Sequence, residues 1–233
     1  KKKSLPAVVQ YPAYGIVVQQ APHGGRRNQI TFTINAHGYK LGESAEYYRD
    51  FFKGINGNKY AFDETRCTSP ETAYFNGMAL RVMRSLQFVK ALPQWDGTNL
   101  QVQGISQGGL QAIWAAALDS DVSFATVSIP WGCDLGGISQ GRFAGWRKKY
   151  FPALDYFDPV NHAKRIRCPV EIRRAGLGDK TSPPAGVTIL YNNISAPKKI
   201  TYIQGSEHGY VPPNPQVFTK ENNHFSTNPL SVQ

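Results

Sequence analysis

Apolar and polar positions along the chain follow two periods in turn, one of strands and one of helices. Ala7 to Tyr11 (AVVQY) is a short β-type run, and Gln29 to Asn35 (QITFTIN) alternates polar and apolar residues as a half-buried strand does. Ser44 to Phe52 reads as a helix. Ser69-Pro70-Glu71 has the makings of a helix start: a capping Ser, Pro at the first helical position, then an acid. The helix it opens carries Phe75, Met78, Leu80, Val82, Leu86 and Val89, and stops near Pro93. Leu100 to Gly104 then reads as a strand, Gly109 to Leu118 as an alanine-rich helix and Phe124 to Pro130 as a buried-type strand. Val170 to Arg174 and Ile200 to Gln204 are two further strands, with a helix-like Val187 to Asn193 between them. Past His208 the chain is rich in Pro and Asn without a helical pattern, so residues 212–233 are expected to run extended or partly mobile. Strands alternating with helices predict an α/β fold, a mostly parallel sheet with helices on both faces. In such sheets function collects in loops at the carboxyl ends of the strands.

A length of 233 residues fits a single domain over 1–233. Hydrophobic residues at 41% and charged residues at 18% exclude wholesale disorder. No apolar run is long enough for a membrane span, and no signal peptide is recognisable at the start. The chain opens Lys1-Lys2-Lys3 without Met and reads as a processed or trimmed product. Cys67, Cys133 and Cys168 are an odd number at wide spacing, wrong for a disulfide scaffold and for a zinc cluster. Cys133 and Cys168 read as buried small apolar residues. Lys+Arg 26 against Asp+Glu 16 gives +10, which raises an anionic partner, either nucleic acid or an acidic polymer. The charges at Lys1 to Lys3, Arg26-Arg27, Arg147 to Lys149 and Arg173-Arg174 are short and scattered, and no nucleic-acid-binding motif accompanies them. A soluble surface with a basic bias accounts for them, with no nucleic acid and no membrane as partner.

The chemistry concentrates at Gly104-Ile-Ser106-Gln-Gly108. A Gly-x-Ser-x-Gly triplet alone is weak, but this one lies where a strand ends and a helix begins, as a nucleophile elbow requires. Glycines flank the serine because a tight, strained turn leaves no room for side chains. The serine oxygen then stands above the sheet, with a helix N-terminus aimed at developing negative charge. A serine needs a base and the base an orienting acid, which follow it in the order acid, then histidine. His208 sits in Gly205-Ser-Glu-His208-Gly-Tyr, on a loop just after a strand. His162 falls in a helical stretch and His224 in the polar tail. Asp179, in Gly176-Leu-Gly-Asp179-Lys-Thr-Ser-Pro-Pro184, stands one strand before the histidine loop. Asp158 precedes a Pro that opens a helix, so capping suffices for it. Asp134 and Asp155 fall in the insertion between strands.

Gly104-Ile-Ser-Gln-Gly-Gly109, Tyr156-Phe-Asp-Pro-Val-Asn161, Arg167-Cys-Pro169, Gly176-Leu-Gly-Asp-Lys-Thr-Ser-Pro-Pro184 and Gly205-Ser-Glu-His-Gly209 together resemble the acetyl xylan esterase and cephalosporin C deacetylase family. Pro6-Ala-Val-Val-Gln-Tyr-Pro-Ala-Tyr14-Gly fits the same pattern. The resemblance covers roughly residues 5–213 and is strongest from Ser69 onward. It implies an α/β-hydrolase fold and a serine esterase that removes acetyl groups from sugars, with Ser106 as nucleophile, Asp179 as acid and His208 as base. It also implies an oxyanion hole made by the main-chain N–H groups of Gln107 and Tyr14. The family's N-terminal extension and its C-terminal helix after the histidine are missing from this sequence. Asn35-Ala-His37-Gly38-Tyr39 stands where the family has an Asp-Arg-Gly-Gln-Gly type of loop.

Trp131, in the loop after the Phe124 strand, is a candidate pocket wall against core packing, and His37, at another strand end, is a candidate substrate contact. His23, beside Gly24-Gly25, reads as part of a turn. The resulting expectation is a serine carboxylesterase without cofactor or metal, acting on acetylated xylan or xylo-oligosaccharides. Feruloyl esterase, another short-chain acyl hydrolase or acyltransferase, and a non-catalytic carbohydrate-binding scaffold are the alternatives. A homo-oligomer stays open, as does the compartment: a polymer substrate suggests secretion or the periplasm, imported oligosaccharides the cytoplasm.

Overall fold

Eight strands form one sheet: β1 (Leu5–Tyr11), β2 (Ile30–Thr33), β3 (Trp95–Ile105), β4 (Phe124–Ser128), β5 (Val170–Gly176), β6 (Lys198–Ile203), β7 (Gln216–Glu221) and β8 (His224–Pro229). Their order is β2-β1-β3-β4-β5-β6-β7-β8, parallel from β2 to β6 and antiparallel through the last two. The computed structural model describes residues 4–15, 28–57, 60–142, 145–146 and 149–229. Lys1 to Lys3, His23, Arg26-Arg27 and Arg147-Lys148 lie outside the described residues.

The helices are α1 (Ala45–Gly57), α2 (Tyr74–Lys90), α3 (Gln107–Leu118), the single turn α4 (Pro159–His162) and α5 (Pro184–Asn193). Helix α2 buries Phe75, Met78, Val82, Leu86 and Val89, whose three- and four-residue spacing is one helical face. Helix α3 is buried nearly all round: it packs on β3 and β4, and Trp114 meets Phe75 of α2 and Phe157, its indole N–H donating to the Phe157 carbonyl at 2.9 Å. Each such side chain contributes about 1.5–3 kcal/mol through burial. Contacts of α3 with α2 and α4, and of α4 with α5, join these helices into one layer over one face of the sheet.

The parallel α/β sheet is as the sequence predicts, but among the described residues a second helical layer is not found. The opposite face carries Gln101, Gln103, Thr126, Glu171 and Arg173, none of them buried. These polar residues alternate with the apolar ones of the covered face, as in a sheet with one wet side.

Three other expectations shift. Helix α2 starts at Tyr74, not at Ser69, because residues before it close turns of their own: Ala73 N–H donates to the Ser69 carbonyl and the Thr72 hydroxyl to the Arg66 carbonyl. Strand β3 begins at Trp95, earlier than the turn-like Asp96-Gly97-Thr98-Asn99 suggests, because Trp95 already pairs with Leu5. The tail forms the β7–β8 hairpin, turning at Asn222 with φ 49°.

The strand order reverses at β1, whose neighbours β2 and β3 leave it in opposite directions. A crevice opens at such a switch point beyond the carboxyl ends of the strands. The loop after β1 carries Tyr14 and the turn after β3 carries Ser106, so both stand at its rim.

Candidate active site

Ser106 joins β3 to α3 with φ 56° and ψ −118°, a backbone conformation that costs on the order of 1–3 kcal/mol. Three main-chain bonds hold it there: Ser106 N–H to the Ser128 carbonyl at 3.0 Å, and the Ser106 carbonyl to the N–H groups of Leu110 at 3.1 Å and Trp131 at 3.0 Å. A Cβ at position 104 would collide with the Gly108 carbonyl, and one at 108 with the Tyr11 carbonyl. The two glycines therefore let α3 approach β3 and β1 closely enough to make the turn.

His208 stands on the loop after β6. Its Nε2 lies 2.8 Å from Ser106 Oγ, and its Nδ1 lies 2.9 Å from Asp179 Oδ2. An ionised carboxylate only accepts, so Nδ1 carries the proton and Nε2 is left to accept from the serine hydroxyl. Asp179 follows β5 and its side chain is fully enclosed. Its other oxygen, Oδ1, accepts from the N–H groups of Thr181 and Ser182, both at 2.8 Å. The carboxylate is thus fixed in place and fully hydrogen-bonded. Glu207 N–H and Ser206 Oγ both bond the Tyr210 carbonyl, closing the histidine loop on itself.

A cavity of about 570 Å³ opens over this relay, walled by Tyr14, Tyr60, Trp131, Trp146, Ile105 and Ile129, with Arg174, Thr181, Gln107 and Ala13 completing it. Trp131 is buried against Phe75 and Trp146, and its indole N–H donates to the Trp146 carbonyl at 3.1 Å. One Trp131 edge is thus core and the other pocket. Tyr60, Arg174 and Thr181 were not singled out from the sequence. Tyr60 gave no signal there, and its hydroxyl now bonds the Gln107 side chain. Gln107 is the first residue of α3, and N–H groups of a first helical turn have no partner within the helix. Gln107 and Tyr14 line the same cavity as Ser106.

His37 is not on the cavity wall. It lies 5% exposed behind Tyr14, ring against ring at 5.6 Å and nearly perpendicular, with Nδ1 2.7 Å from the Tyr74 hydroxyl. Burial, and secondarily the Arg81 cation, lower its pKa from 6.5 to about 4. The folded protein therefore resists a proton that the unfolded chain accepts near pH 6.5. Stability should fall as pH drops from 6.5 to 4, by up to about 3 kcal/mol from this group. Urea midpoints across that range check it: His37→Asn should lose much of the decline, and an unchanged decline would contradict it.

The rival groups are occupied elsewhere. Asp158 accepts from Val160 N–H at 2.9 Å and from the N–H groups of Asp134 and Leu135, so it caps α4 and ties down the preceding insertion. Asp134 pairs with Arg142 through both oxygens, and Asp155 accepts from the Tyr150 hydroxyl. His162 Nε2 bonds the Tyr156 carbonyl at 2.7 Å, and His224 pairs opposite Glu221 in the hairpin. Cys67, Cys133 and Cys168 are all buried, and the Cys133 thiol donates to the Pro130 carbonyl.

A model of the acetyl xylan esterase family matches residues 1–142 and 140–225. An acetyl esterase of Xylanibacter ruminicola, Axe7A, is 33% identical over 145 residues, which are 58% of this chain and 33% of that protein. The match takes in only about one third of that relative's length. Among solved structures, the acetyl xylan esterase of Paenibacillus sp. R4 superposes with a TM-score of 0.68 at 23% identity, over 91% of this chain and 72% of that one. Acetyl xylan esterase 1 of Thermoanaerobacterium sp. JW/SL YS485 gives 0.65 at 20%, over 89% and 71%. These two likenesses are of fold, the α/β-hydrolase fold. Matched along nearly its whole length by the family model, the chain belongs to the acetyl xylan esterase family.

Proposed function

We propose that the protein hydrolyses acetyl esters of xylan or xylo-oligosaccharides through an acetyl-serine intermediate. The observation that carries this reading is the relay from Asp179 through His208 to Ser106 Oγ, opening into an aromatic cavity. His208 Nε2 takes the hydroxyl proton as Ser106 Oγ attacks the acetyl carbonyl, and Asp179 stabilises the imidazolium. The oxyanion is held by the Gln107 and Tyr14 main-chain N–H groups. The imidazolium then gives its proton to the departing sugar oxygen. Water enters, His208 Nε2 takes its proton, and the resulting attack on the acetyl carbon frees acetate and returns the proton to Ser106 Oγ. Family membership and the acetyl esterase named above support acetate as the acyl group.

Trp131, with Trp146 beside it on the solvent side, forms the wall that sets acyl length, because each added methylene must fit against a rigid ring. Apolar pockets discriminate by about 1–3 kcal/mol per methylene, and overpacking adds to that. The kcat/KM should fall by about ten-fold or more from acetate to butyrate esters. Trp131→Ala should flatten this profile without raising acetate turnover. An optimum at butyrate or longer, or strong turnover of methyl ferulate, would displace the deacetylase reading in favour of another ester specificity.

A further inference from the structure

Strand β5 contains one residue more than either neighbour can match. Val127 pairs with Ile172, but the next residue, Ser128, pairs with Arg174; on the other side, Ile172 pairs with Ile200 and Ala175 with Tyr202. The bulge falls at Arg173-Arg174, at the carboxyl edge of the sheet. Bulges there re-aim side chains toward a site.

The two arginines it separates have different surroundings. Arg173 is exposed and pairs with Glu171 at 2.9 Å. Arg174 is half-buried and lines the cavity above Ser106, and among the described residues no carboxylate pairs with it. One Nη2–H donates to the His208 carbonyl at 2.9 Å, while Nε is buried with no partner among the described residues. Of the described residues lining the cavity, Arg174 alone carries a fixed charge. A guanidinium drawn out of water ordinarily has an anion to meet.

We propose that Arg174 binds a carboxylate on the sugar side of the ester, so that acetylated sugars bearing a uronic acid are favoured over neutral ones. This rests on the ester-hydrolase reading, since an acetyl group has no second charge to offer and the carboxylate must belong to the alcohol half. The net charge of +10 works in the same direction, by attracting an acidic polymer.

The test uses an O-acetylated methyl glucuronoside and the neutral methyl ester of the same compound, which differ by a single charge. Acetate release from the acid should have a kcat/KM about ten-fold higher, the gain of one charge-assisted contact in a partly wet site. The preference should shrink as salt is raised. Arg174→Gln keeps a donor near the His208 carbonyl but no charge, and its ratio of acid to ester should drop to about one; Arg174→Lys should restore part of it. A wild-type ratio at or below one overturns the proposal, and so does a preference that survives Arg174→Gln. The wild-type ratio and its salt dependence decide the matter if the variants do not fold. Turnover of 4-nitrophenyl acetate without any charge preference counts against Arg174 alone, whereas no turnover of it counts against ester hydrolysis itself.

Discussion

Ser106→Ala is expected to lower ester hydrolysis on the order of 10⁴-fold or more, because members of such a relay act as a unit. Its fold should survive. The strained turn is held by main-chain bonds to Ser128, Leu110 and Trp131 that alanine keeps, and among the described residues the one side-chain bond lost is that to His208. That imidazole reaches solvent, so its freed nitrogen can meet water. Thermal unfolding beside turnover of 4-nitrophenyl acetate separates the two effects. Activity retained in the variant, with no contaminating esterase, would remove Ser106 from the reaction.

Asp179→Asn should be nearly as damaging, on the order of 10⁴-fold in kcat. Asparagine can still accept from Thr181 and Ser182 through its oxygen, but it then turns an NH₂ group toward His208 Nδ1, where a proton already sits. The ring must change tautomer to avoid two donors facing each other, and Nε2 then cannot accept from Ser106. Asp158→Asn provides the contrast. It weakens the α4 cap and the bonds to Asp134 and Leu135, so about 1 kcal/mol of stability should go while turnover stays. The reverse outcome, with Asp158 silencing the protein and Asp179 merely softening it, would move the acid to the α4 loop.

The residues of the relay were legible because each follows a strand closely: Ser106 after β3, Asp179 after β5 and His208 after β6. The strand pattern of an α/β fold brings such positions to one edge whatever the rest of the chain does. What escaped lies where local pattern and tertiary structure disagree. Ser69-Pro70-Glu71 has good start chemistry, yet side chains such as Thr72 bond locally and delay the helix to Tyr74. In the sequence Arg174 is part of a short charge run, because a bulge depends on pairing with two neighbours that sequence spacing alone does not reveal. His37 misled by standing at a strand end; the Tyr14 ring packs against it and takes the cavity wall. The hairpin had a signal, Asn222-Asn223 between two runs containing Val217, Phe218 and Phe225, masked by surrounding Pro and Asn. The half-exposed sheet face was also written in the sequence, in the polar positions of Gln101, Gln103, Thr126, Glu171 and Arg173.

If the relay works as proposed, Ser106 Oγ carries the acetyl group during turnover. Acid-quenching the protein during steady-state turnover of 4-nitrophenyl acetate, digesting it and weighing the peptide that contains Ser106 tests this directly. A fraction of that peptide should be heavier by one acetyl group, located on Ser106 by fragmentation, absent from Ser106→Ala and lost when substrate runs out. Turnover with an unmodified Ser106, or with the acetyl group on another side chain at equal speed in both proteins, would contradict it.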